Sequence, residues 1–228
     1  MLVLANIPLF PLNTILVPGL VLPLHIFEPR YRLMVQELLE IPDVEEREFG
    51  IVAVRDGYDM SISGIDALHP VGTSTILREV NSHQDGRYDI VTTGSRRFRI
   101  NALDASTPLM HADVEWLPEP ETPLTDGINL LTRGALNDFS AYRAALSREL
   151  NGNVSMFEEL PTDPTIVSYL LTAAILLPTA ERQELLGAHS SQDRLILIRA
   201  LLKRETALIT HFGALPAVDL FSNYLSPN

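Results

Sequence analysis

In the first half of the chain, apolar residues fall in short runs separated by turn-forming residues. The runs are Ile7–Phe10, Val21–Phe27, Phe49–Arg55, Thr73–Val80, Tyr88–Thr93, Arg97–Leu103 and Ala112–Leu117. Gly57, Gly64, Gly72, Gly86 and Gly94 lie between or beside them, as a series of short strands requires. Asp85-Gly86 gives the clearest hairpin signal, because this pair favours the left-handed backbone of a tight strand connection. One helix interrupts the strands. Pro29 follows Glu28 at a favoured first-turn position, and Tyr31, Met34, Val35, Leu38 and Leu39 recur at three- and four-residue intervals.

The period then changes. The segment LPEPETPLT, between Trp116 and Asp126, is too rich in proline for a helix or a central strand and marks a boundary. Gly127–Leu150 reads as helix, with Leu130, Leu131, Ala135, Phe139, Tyr142 and Leu146 along one side, closed by Asn151-Gly152-Asn153. Asp163-Pro164 opens another helix, an acidic cap followed by proline, running to Ile175 or Leu177 before Pro178. Thr179 caps a short helix ended by Gly187, with Arg182 and Gln183 pointing outward and Leu185 and Leu186 inward. Ser190 or Ser191 begins the last, carrying Leu195, Ile198, Leu202 and Leu208 to about His211. The expected order is a β part over 1–117, a proline-rich linker over 118–126 and a four-helix part over 127–228, an α+β chain.

Composition narrows the function. A net charge of −12 disfavours nucleic acid as a partner, since phosphate binding draws on a concentrated basic surface. With no cysteine there are no disulfides and no thiolate nucleophiles or ligands. The apolar N-terminus lacks a basic leader and is broken by Pro8, Pro11, Pro18 and Pro23, so neither a signal peptide nor a membrane span is expected, and a cytoplasmic location is.

Leu9-Phe10-Pro11-Leu12-Asn13, Pro18-Gly19 and then Leu22-Pro23-Leu24-His25-Ile26-Phe27-Glu28-Pro29-Arg30-Tyr31-Arg32 resemble the opening signature of the Lon N-terminal (substrate-binding) domain family. Val71-Gly72-Thr73 and Gly94-Ser95-Arg96-Arg97-Phe98-Arg99 resemble its later strand motifs. Ser168-Tyr169-Leu170, Leu177-Pro178 and Glu181-Arg182-Gln183-Glu184-Leu185-Leu186 are similar to its C-terminal helices. The resemblance implies a PUA-like β pseudobarrel with one inserted helix and a helical subdomain, binding unfolded or partner polypeptides in protein quality control. It implies a free-standing member without ATPase or protease domains, for which a separate ATPase or protease is a candidate partner.

The residues themselves argue against catalysis. No Gly-Lys pair exists for a P-loop. A Ser–Lys dyad has only Lys203 to draw on, and that lysine lies in a charged helical face. His25, His69, His83, His111, His189 and His211 show no spacing that puts two imidazoles on one helical face, so neither a metal nor a cofactor is expected. His25 and Glu28 form the one close His/carboxylate pair of the signature, which leaves a hydrolase as an alternative reading. RNA binding, by analogy with other PUA-like proteins, is a second. Strand alternation sends Phe98 to the core and leaves Arg97 and Arg99 on the surface, where one of the neighbouring arginines can pair with Glu28 or another carboxylate. Pro11, Glu28, Pro29, Gly72, Gly94, Arg97 and Phe98 are taken as architecture, and His25, Phe27, Arg30 and Tyr31 as a peptide-contacting rim.

Overall fold

The computed structural model describes residues 4–58, 64–150 and 161–213. Within them the strands are β1 (Leu4–Leu12), β2 (Val21–Ile26), β3 (Glu48–Ala53), β4 (Val71–Ser82), β5 (Tyr88–Asp104) and β6 (His111–Trp116). The helices are α1 (Pro29–Leu39), α2 (Asp126–Glu149), α3 (Pro164–Ala174), α4 (Thr179–Gly187) and α5 (Ser191–Phe212). The fold is therefore α+β, as expected.

The strands form one mixed sheet, ordered β2-β5-β4-β3-β1-β6, in which β5 also pairs with β6. The pairings β5-β4-β3-β1-β6-β5 thus make a closed circuit, with β2 attached outside it. All pairs are antiparallel except β1 with β3. Closure depends on the length of β5. Tyr88–Thr93 pairs with β2, whereas Phe98–Asp104 pairs with β6. Two runs that the sequence suggests are separate strands are one, because Gly94 does not turn the chain. Its amide donates to the Leu20 carbonyl, and its carbonyl accepts from Gly19. A Cβ on Gly94 would collide with the carbonyl oxygen of Val17, so glycine is what lets this loop lie against the strand.

The prolines of the signature stand where the ladder spares them. Pro23 is on β2, at the end of the strand order, and Pro11 lies where β1 has passed beyond its pairing with β6. Gly72 has a packing reason: a Cβ there would strike Phe98 and stand 2.6 Å from the Ile51 carbonyl oxygen. Phe98 is fully buried, in a cluster with Leu9, Val52, Met110 and Val114. A second cluster joins Phe10, Leu24, Ile26, Phe49 and Leu77 to the apolar stripe of α1, Tyr31, Met34, Val35 and Leu38.

The chain divides into two compact units. Of the described residues, the first holds those up to Pro118 together with Thr179–Leu186, and the second holds those between Glu119 and Pro178 and those from Gly187 to Gly213. Within the second, α2, α3 and α5 bury Phe139, Tyr142, Leu146, Val167, Leu171, Leu195, Ile198 and Leu202. Thr125, Asp163 and Ser190 cap these helices by accepting hydrogen bonds from backbone amides in the first turn. Leu130 is exposed, and its expected core place is taken by Ile128 and Thr132. The expected stop at Asn151-Gly152-Asn153 lies outside the described residues.

The four-helix grouping needs correction, because α4 belongs with the strands. Arg182 and Gln183 point inward and are buried. The Gln183 amide donates to the Val71 carbonyl at 2.6 Å, Arg182 to Thr14 Oγ1 at 2.8 Å and Thr179 to the Asn13 carbonyl at 3.2 Å. Arg97 completes the attachment. Far from being a surface arginine, it is buried and donates to the carbonyls of Leu186, at 2.9 Å, and Pro118, at 3.1 Å. The rule of alternation fails there because α4 covers the face to which Arg97 points.

Candidate functional site

The signature segment places its side chains around the end of β2 and the start of α1. Phe27 is 48% exposed, and its ring stacks on that of His25 with centroids 6.3 Å apart. Arg30 is half-buried and donates through Nε to Glu28 at 2.9 Å. Tyr31 departs from the expected rim. It is buried, its ring lies 4.1 Å from that of Phe10, and burial above all pushes its hydroxyl up to about 12, with Glu28 adding to the rise and Arg30 opposing it. The helical spacing that grouped Tyr31 with Met34, Val35 and Leu38 was the signal for this.

His25 and Glu28, the pair behind the hydrolase reading, are drawn to different partners. Glu28 takes Arg30, while His25 Nδ1 lies 2.6 Å from Asp89 Oδ1. The second oxygen of Asp89 is 2.7 Å from Nε2 of His83. Backbone register causes this meeting. His25 of β2 sits directly opposite Asp89 of β5, and Asn81 of β4 faces Asp89 from the other side. His83 lies two residues beyond Asn81, hence on the same face, and its amide donates to the Arg87 carbonyl within the hairpin. The two imidazoles hold the Asp89 carboxyl below the ordinary carboxylate range, the bond from His25 contributing most and that from His83 next. Neither His83 nor Asp89 was among the sequence candidates. The Asp85-Gly86 hairpin, in which Gly86 adopts φ +82°, foretells the nearness of His83 and Asp89, but the docking of β2 is non-local.

Of the other two arginines of the strand motif, Arg99 is exposed. Arg96 forms a two-pronged ion pair with Glu48 and lies 3.5 Å over the Trp116 ring. Lys203 is exposed on α5. No helix among the described residues is long and apolar enough to cross a membrane.

The profile of the family described as the ATP-dependent protease La (LON) substrate-binding domain matches residues 6–204, and the chain belongs to that family. It is 24% identical over 197 residues to Lon protease 1 of Hydrogenovibrio crunogenus and 28% identical over 195 residues to Lon protease 2 of Syntrophobacter fumaroxidans. These matches cover 86% and 85% of this chain but 23% of each relative, so the chain spans about a quarter of their length. Among solved structures, a Lon N-terminal domain protein from Xanthomonas campestris superposes with a TM-score of 0.60 at 23% identity, covering 86% of this chain and 98% of that one. The N-terminal domain of Mycobacterium avium complex Lon protease gives 0.60 at 22% identity, with coverages of 89% and 98%.

Proposed function

We propose that this chain is a non-catalytic polypeptide-binding module serving proteolysis or protein quality control, built on a PUA-like pseudobarrel. The observation that carries the reading is membership of the substrate-binding family across residues 6–204. The closed strand circuit supports the pseudobarrel. The contacting rim is His25, Phe27 and Arg30, with Phe27 as its apolar anchor, because a half-exposed aromatic ring held by a stacked neighbour presents contact area at little cost in entropy. Tyr31 supports that rim from below. The clients are unfolded or partner polypeptides with exposed apolar segments, and delivery to a separate ATPase or protease is a further step of the same reading.

Fluorescence anisotropy with a panel of unfolded polypeptides, together with a peptide array, tests it. Saturable binding is expected, weakened roughly tenfold or more in Phe27→Ser, the loss usual for an aromatic anchor. Absence of saturable binding across the panel overturns the reading.

A further inference from the structure

We propose that His25, His83 and Asp89 form a binding site for a borderline divalent transition-metal ion of the zinc, nickel or copper class. One ligand-type atom from each side chain lies within 4.8 Å of those of the other two. Two imidazoles and one carboxylate on a common face, with the remaining directions open to solvent, are a donor set that such ions accept.

The present contacts show how little must move. His25 Nδ1 and His83 Nε2 each approach a different oxygen of Asp89, at 2.6 and 2.7 Å. In a tetrahedral site with bonds near 2.0–2.2 Å the donor atoms stand roughly 3.4 Å apart, so side-chain shifts of under about 1 Å make room for the ion. In the metal-free arrangement a ring proton occupies each N···O contact; on binding, each imidazole carries its proton on the other ring nitrogen, exchanged through solvent, and the freed lone pairs and the Asp89 carboxylate take the metal. The scaffold is also suited. Each ligand is set by strand or hairpin register, and the His25 ring is buttressed by Phe27. Arg87 Nη1 lies 3.4 Å from His25 Nε2, the ring nitrogen that faces away from Asp89, and Arg87 is itself engaged by Asp85 at 2.7 Å. With the metal on Nδ1, His25 Nε2 carries the proton and Arg87, which can only donate, gives up this long contact and stays with Asp85.

As surface hydrogen bonds these contacts add little stability, since all three side chains are between a third and about half exposed. The inference does not rest on polypeptide binding by the neighbouring rim, and its test needs no client.

Isothermal titration of the chelator-stripped chain with Zn²⁺, and separately with Ni²⁺, is expected to show one saturable site. His83→Ala and Asp89→Asn are expected to weaken it at least about tenfold, while His189→Ala leaves it unchanged. Co²⁺ added to the unaltered chain is expected to give the intense visible absorption of a low-coordinate site, a readout that needs no variant. Absence of saturable binding, equal binding by the parent and both ligand variants, or a Co²⁺ spectrum indistinguishable from the aquo ion each overturns the proposal.

Discussion

His69 shows what a single side chain contributes through its surroundings. Partial burial is the main cause that lowers its pKa from 6.5, and the nearby Arg55 adds to the effect while Asp56 opposes it. The folded chain therefore takes up this proton less readily than the unfolded chain does. Stability tied to neutral His69 is complete above about 6.5 and is lost as pH falls toward and through the lower folded value. His69→Gln is expected to flatten the acid side of the stability curve. Urea midpoints between about pH 5 and 7 check this, and parallel curves for parent and variant would refute it. Little of that environment is legible in the sequence, because the neighbours of His69 are set by folding. The signature residues were more readable. Pro29 constrains the backbone locally, so its place in the first turn of a helix could be read without a structure, whereas Gly72 and Gly94 answer to Phe98, Ile51 and Val17, which only folding brings to them. Tyr31 was legible twice, once as part of a helical stripe and once as part of a motif, and the stripe wins because its ring fills the core beside Phe10.

Elements were found where periodicity is local and strong. α1, α2, α3 and α5 begin within a residue or so of where periodicity puts them, because Thr125, Asp163 and Ser190 accept from amides of the first turn and Pro29 holds its own φ at the helical value. β5 and α4 were misread for one reason: their environments come from distant chain. Gly94 reads as a turn until the loop around Val17 is laid upon it, and Arg182 and Gln183 read as solvated until Thr14 and Val71 are brought to them. The attachment of α4 has a measurable weight. Arg97→Ala takes the donor from the buried Leu186 carbonyl, worth roughly 1–3 kcal/mol when left unsatisfied, while the carbonyl of the exposed Pro118 can turn to water, so a loss of about 1–3 kcal/mol is expected. Chemical denaturation measures it, and a loss below about 1 kcal/mol would show that water replaces the guanidinium at no cost.

At the scale of the molecule, each unit has its own buried polar anchor. In the second, the fully buried Arg194 donates to Ser168 Oγ at 2.8 Å and to Glu119 at 3.2 Å, its guanidinium lies 4.0 Å from the Tyr169 ring, and the Tyr169 hydroxyl donates to the same carboxylate. Glu119 thus turns part of the proline-rich segment, read from sequence as a linker, into a member of the helical core. Arg194→Ala removes one partner of a buried pair and is expected to cost about 3–5 kcal/mol. Hydrogen exchange should show the loss of protection in α3 and α5, and unchanged protection there would remove Arg194 from that role. The return of α4 to the strands bears on how the protein is made. Val71 and Arg97 leave the ribosome well before Gln183 and Leu186, and α2 and α3 are synthesised in between. The first unit to begin folding therefore cannot finish until α2 and α3 of its neighbour have been made, and its acceptors must wait, hydrated or chaperoned, for a helix encoded beyond them.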